Sequence, residues 1–202
     1  MNSGFYGFPK TNKLPQTASF AISALSASYS PNPKSYAVFT ALLTQTGTDD
    51  FETISSGSLT KGVSYQVVGT GGGNEDFSNV GLSSFSDGAW FIATDNAYPN
   101  NWDGSSLGYN SGAPIAIVVE NTIGTIWFSY EGTGTYGINS NNLFIENKTI
   151  LFNTPSTDPS SPLWLTTKWI NSNQLYCTQF DGNGNATNSI PSAASIEVRV
   201  YN

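Results

Sequence analysis

The sequence predicts an all-β protein: an antiparallel, jelly-roll-like β-sandwich with a small inserted β module, preceded by an extended N-terminal arm. Three observations carry that prediction. Asn, Ser, Thr and Gly crowd the chain, and such residues favour turns and compete with helical hydrogen bonds. The apolar stretches between them are short, β-branched or aromatic, and bounded by turn residues, which is the pattern of strands. No long amphipathic helix is evident, residues 17–29 being the one candidate. With 202 residues, 38% of them hydrophobic and 13% aromatic, the chain can bury a sizeable core without covalent staples.

Residues 1–35 stand apart. They hold small residues with spaced apolar ones, five aromatics and no acid, and Pro31 and Pro33 end any regular structure. A disordered tail is one reading. The aromatic content instead points to an arm that orders against a partner, with Phe5, Tyr6, Phe8, Phe20 and Tyr29 as its candidate docking residues.

Beyond the arm, strands are expected at residues 36–43, 64–68, 89–94, 115–120, 125–130, 148–152, 163–167, 175–180 and 195–201. The last alternates cleanly: Ile196, Val198 and Val200 on one face, Glu197, Arg199 and Tyr201 on the other. A half-buried antiparallel strand reads this way. Residues 121–124, between two apolar runs, look like a hairpin loop. Residues 36–49 and 110–202 read as one β-unit, and residues 50–109 as a Gly- and aromatic-rich module inserted into it.

Composition excludes much chemistry. Only 10% of residues are charged, against about 25% in ordinary soluble domains. Seven basic and fourteen acidic residues give a formal charge of −7, which disfavours nucleic acid and anionic membranes as partners. There is no histidine, so His bases, His ligands and Ser-His or Cys-His pairs are ruled out. The lone Cys177 rules out internal disulfides and Cys-rich zinc sites and is expected to be a small buried hydrophobe. No segment reaches the roughly 18 apolar residues of a membrane-spanning helix, and residues 1–10 lack a signal-peptide pattern. Neither an enzyme nor a cofactor is expected.

Three groups of residues have chemistry to weigh. Asp181, Asn183 and Asn185 alternate as a Ca²⁺ loop begins, but the twelfth position is Ser192 and no helices flank it, so a turn is expected and no metal. Asp49, Asp50 and Glu52 cluster, as do Glu75 and Asp76; paired carboxylates serve glycoside hydrolysis only at the right separation, and beside Gly-rich turns solvated acids are the ordinary reading. Trp90, Tyr98 and Trp102 lie close in sequence, and Tyr98, Asn100, Asn101, Trp102 and Asp103 form a candidate glycan-binding loop. The alternative places Trp90 and Trp102 in the core of the module. Trp127, Trp164 and Trp169 are expected in the core or at a subunit interface.

The order of pieces resembles a module of structural proteins of tailed bacteriophages, especially Bacteroidetes phages. The pattern is Gly57-x-Leu59-x-x-Gly62-x-x-Tyr65, then residues 76–81 (Asp-Phe-Ser-Asn-Val-Gly), then Gly88-x-x-Phe91-x-Ala93-Thr94, then Pro99-x-x-Trp102. Residues 36–45, 119–124 and 196–201 are similar to the flanking unit of that group, so the resemblance spans nearly the whole chain. It implies a virion component, a head or tail fibre or decoration protein, and no catalytic residues. It further implies a homo-oligomer, a trimer first, whose arm attaches to other virion proteins and which assembles in the bacterial host. A cell-surface glycan receptor is the alternative function, and a polysaccharide hydrolase a more distant one.

Overall fold

The computed structural model describes residues 35–45, 47–69, 71–154, 164–188 and 190–202. The chain divides between Lys34 and Ser35. The candidate docking residues Phe5, Tyr6, Phe8, Phe20 and Tyr29, and the helix candidate at 17–29, lie outside the described residues.

From Ser35 onward the protein is all-β. Its strands are β1 (Tyr36–Gln45), β2 (Phe51–Ile54), β3 (Ser64–Gly69), β4 (Trp90–Ile92), β5 (Ser106–Asn110), β6 (Ile115–Asn121), β7 (Ile126–Gly132), β8 (Thr135–Ser140), β9 (Thr149–Asn153), β10 (Trp164–Asn171), β11 (Gln174–Phe180) and β12 (Ile190–Tyr201). A single 3-10 turn, Ser78–Val80, accompanies them among the described residues.

Two four-stranded sheets, β6-β1-β12-β9 and β10-β11-β8-β7, form the sandwich. All their pairings are antiparallel. Strand alternation drives the burial. In β1, Phe39, Ala41 and Leu43 point inward, and in β12 Ile196, Val198 and Val200 do the same. From the second sheet come Ile126, Phe128, Tyr136, Ile138, Leu175 and Cys177, all in the same apolar cluster. Phe39 and Phe128 meet across the sheets with ring centroids 6.1 Å apart. Burying a side chain of this size contributes about 1.5–3 kcal/mol. The central pairs β1·β12 and β8·β11 nest one within the other along the chain, which gives the sandwich its jelly-roll-like character.

Residues 121–124 differ from the expected hairpin loop. β6 belongs to the first sheet and β7 to the second, so this loop turns a corner between sheets. Asn121 shapes it: its Oδ1 accepts the N–H groups of Ile123 and Gly124, and its Nδ2 donates to Gly124 O at 2.7 Å. Thr122 fixes the corner to β1, with Val38 N–H donating to Thr122 Oγ1 at 2.8 Å and Thr122 N–H to Val38 O at 2.7 Å. The turn is capped by Asn121 and tied to β1 by Thr122, so the chain leaves the first sheet at this corner and β6 stands as the edge strand of that sheet.

Between β1 and β6 the chain builds a third sheet, β2-β5-β3-β4. It has its own apolar cluster, including Leu59, Tyr65, Val67, Phe77, Val80, Phe91 and Leu107. The stem is narrow. Ser111 N–H donates to Asp50 O at 2.9 Å, and buried Gln45 clamps the base through Nε2 to Gly47 O and Gly112 O. Several contacts join this region to the sandwich, Ile92 packing against the sandwich core among them. Trp90 stacks on Trp127 with centroids 5.5 Å apart and rings within 8° of parallel. Phe128 N–H donates to the buried Ser64 Oγ at 2.9 Å, and Ala116 N–H to Gly62 O at 2.8 Å. Gly62 has φ +87, and a Cβ there would stand 2.8 Å from Ile115 Cγ2, so both backbone and space demand glycine.

Candidate functional site

The candidate glycan loop is held together mainly by its own polar groups. Asn100 N–H donates to Asn79 Oδ1 and its Nδ2 to Asp76 Oδ2. Asn101 Nδ2 donates to Asn74 O, and Asn101 exchanges backbone hydrogen bonds with Asp76. Asp103 N–H donates to Glu75 Oε2 at 2.8 Å and Ser105 N–H to Glu75 Oε1 at 3.0 Å. The Trp102 ring packs edge-on against Phe77 at 5.2 Å, and its Nε1–H donates to Ser105 O at 2.9 Å. Irregular backbone must find partners for its donors, and short amide and carboxylate side chains supply them. Of the five residues, Tyr98 presents an open ring, 70% exposed, while Trp102 belongs with the apolar cluster of the third sheet.

Four of the five carboxylates read as candidate acids, Asp49, Glu52, Glu75 and Asp76, have structural partners. Asp76 accepts from Ser78 Oγ–H, Ser78 N–H and Asn100 Nδ2, which hold its pKa below the ordinary carboxylate value. Glu52 accepts the Tyr109 hydroxyl, and that hydrogen bond, with burial, pushes the phenol up to about 12. Asp49 accepts from Asn110 Nδ2 at 2.7 Å. Asp181 Oδ1 accepts the N–H groups of Asn185 and Asn183 while its Oδ2 takes Asn185 Nδ2, so the carboxylate closes its own turn and its pKa is lowered. Cys177 is fully buried in β11, and desolvation raises its thiol to about 12. A thiol so placed is protonated and unreactive at neutral pH.

The two outer faces of the sandwich contrast. On the second sheet a polar network spans three strands. Glu131 accepts from Ser129 Oγ at 2.6 Å, Gln174 Nε2 at 3.0 Å and the Tyr176 hydroxyl at 3.4 Å, and Asn139 Nδ2 donates to Ser129 Oγ at 2.8 Å. The network lies over Gly137, where a Cβ would come within 2.3 Å of Ser129 Oγ.

The first sheet presents apolar groups instead. Leu42 and Ile117 are cross-strand partners, and Ile150 and Phe152 flank β12 on β9; all four are exposed. Val119 is the extra residue of a bulge, set between Val118, which pairs with Ala41, and Glu120, which pairs with Thr40; it is 66% exposed. Arg199 lies at 4.7 Å over both the Tyr36 and Phe152 rings and pairs with Glu197. The four strands of this sheet carry only Glu120, Glu197 and Arg199 as charged residues. Sequence periodicity could have found the inward faces of these strands. The exposed apolar set escaped it because Leu42 and Ile117 on one side of β12, and Ile150 and Phe152 on the other, come onto one face only through the sheet register.

Comparison of the chain with family models, with curated proteins and with solved structures finds no match.

Proposed function

We propose that this protein is a non-enzymatic structural subunit of a bacteriophage particle, a fibre or decoration protein of head or tail that associates with copies of itself. The observation that carries the reading is the apolar outer face of sheet β6-β1-β12-β9, with Leu42, Ile117, Val119, Ile150 and Phe152 in water. Exposed apolar patches on a soluble domain mark interaction surfaces.

With a second copy of the chain as the occupant, charge confines the contact to this face. Three of the seven basic residues (Lys10, Lys13, Lys34) precede Ser35, leaving four against all fourteen acids in the β region. Like copies therefore repel over most of that surface. On the apolar face repulsion is weak, because its strands carry only Glu120, Glu197 and Arg199, and Arg199 offsets Glu197. The bulge at Val119 also twists the β6 edge, which discourages edge-to-edge growth and favours packing by faces. Closed cyclic symmetry would let one such patch serve every copy, three being the number expected from the fibre resemblance. The phage assignment rests on the resemblance of residues 57–102 and their flanks, and the arm is proposed as the attachment to other virion proteins.

Immunogold electron microscopy of purified particles tests this reading. Regular labelling on heads or tails is expected. Particles that carry no label, while the protein remains in the unassembled fraction, would overturn it.

A further inference from the structure

A groove of about 400 Å³ runs along the seam between the third sheet and the sandwich. Its walls include Ser83, Trp90, Thr94, Val118, Thr125 and Ile126. That volume falls within the roughly 300–1,000 Å³ of small-molecule sites.

Three features define what would fit. First, among the described residues no charged side chain lines the groove, although the β region is strongly acidic. A cation finds no partner there, and an anion meets the repulsion of the surrounding surface, so electrostatics select a neutral ligand. Second, Ser83, Thr94 and Thr125 are exposed, and none of their hydroxyls bonds to another described residue. Each hydroxyl can donate one hydrogen bond and accept two. Third, Trp90 offers an indole wall that Trp127 backs by stacking at 5.5 Å. A ring held in this way loses little freedom when a ligand settles on it. Uncharged, bordered by free hydroxyls and walled by a fixed aromatic ring, the groove matches a molecule with an apolar C–H face and a hydroxylated rim.

We propose that the seam groove binds an uncharged glycan, with a sugar face against Trp90 and its hydroxyls paired to Ser83, Thr94 and Thr125. The site differs from the Tyr98–Trp102 loop, whose amide donors are engaged within the protein. It stands independently of virion membership, because it concerns the isolated chain.

The experiment follows tryptophan fluorescence of the full chain during titration with cellohexaose, mannohexaose and chitohexaose, with hexagalacturonate as the anionic counterpart. Saturable quenching by at least one neutral hexamer is expected, with hexagalacturonate weaker by about tenfold or more. Trp90→Ala should abolish the signal. Because that change removes a packing contact, the double variant Thr94→Val/Thr125→Val is the second arm. It keeps side-chain volume at exposed positions, should retain the wild-type melting curve, and should weaken binding by about tenfold. No response to any neutral hexamer, equal binding of hexagalacturonate, or unchanged affinity in the double variant would overturn the proposal. So would a groove that responds only to peptides bearing aromatic side chains. None of these outcomes bears on particle labelling, so the two readings fail separately.

Discussion

Tyr136 is the largest fully buried side chain among the described residues, opposite Tyr130 on β7 and Cys177 on β11. Its hydroxyl makes no hydrogen bond, and burial pushes its pKa well above the ordinary phenol value. A buried donor without a partner costs about 1–3 kcal/mol. Tyr136→Phe keeps the ring and removes the orphan, so it should raise the urea midpoint, by the equivalent of about 1 kcal/mol. A lower midpoint would show that the hydroxyl has a partner after all.

The acid–base behaviour follows from a few residues as well. Asp76 and Asp181 have folded pKa values below their unfolded value of about 3.9. Their contribution to stability is present above about pH 4 and is lost as pH falls through the folded values. Tyr109 is shifted the other way, to about 12. Its contribution is present below about pH 10 and is lost as pH rises toward the folded value. With no histidine, no side chain of ordinary pKa titrates between. Melting temperature should be flat from about pH 5 to 8 and fall below about 4 and above about 10. A step near pH 6.5 in a thermal scan would contradict this. At the residue scale the sequence showed Cys177 as a buried small hydrophobe. It could not show that Asn100 and Asn101 would be drawn into loop closure, because amide partners are set by three-dimensional proximity.

The strands were legible where an apolar run is long, as in β1, or alternates with polar residues, as in the second half of β12. Three escaped notice. β2 is four residues long and mostly exposed, and β5 contains Gly108. β8 is buried along almost its whole length, yet it reads Thr-Tyr-Gly-Ile-Asn-Ser, with glycine in its middle and two polar residues at its end. Its Gly137 is dictated by the polar network above it, and Asn139 belongs to that network. Function of position in the sheet, not intrinsic strand preference, chose these residues. The inserted module was proposed from resemblance and from composition. It has its own sheet and cluster, joined to the sandwich by Trp90·Trp127, Ser64 and Gly62. Asp50 O and Ser111 N are already 2.9 Å apart, so a short Gly-Ser bridge can replace the residues between them. The shortened chain should keep β circular dichroism and a cooperative melt at lower temperature, since Trp127 and Phe128 N–H lose their partners. Loss of the cooperative transition would mean that the module is an integral part of the sandwich fold.

For the molecule as a whole, the contrast between its outer faces matters most. The Glu131 network suits water, while Leu42, Ile117, Val119, Ile150 and Phe152 suit contact with another apolar surface. A chain whose charged residues from Ser35 onward are mostly acidic would gain little from self-association anywhere else. Sedimentation velocity of the full chain and of Val119→Glu tests this directly. Val119 is 66% exposed, so the substitution should leave folding intact while placing a carboxylate in the proposed interface. The account predicts a closed oligomer, three protomers by expectation, for the wild type and a monomer for the variant; a monomeric wild type, or a variant that assembles as the wild type does, would contradict it.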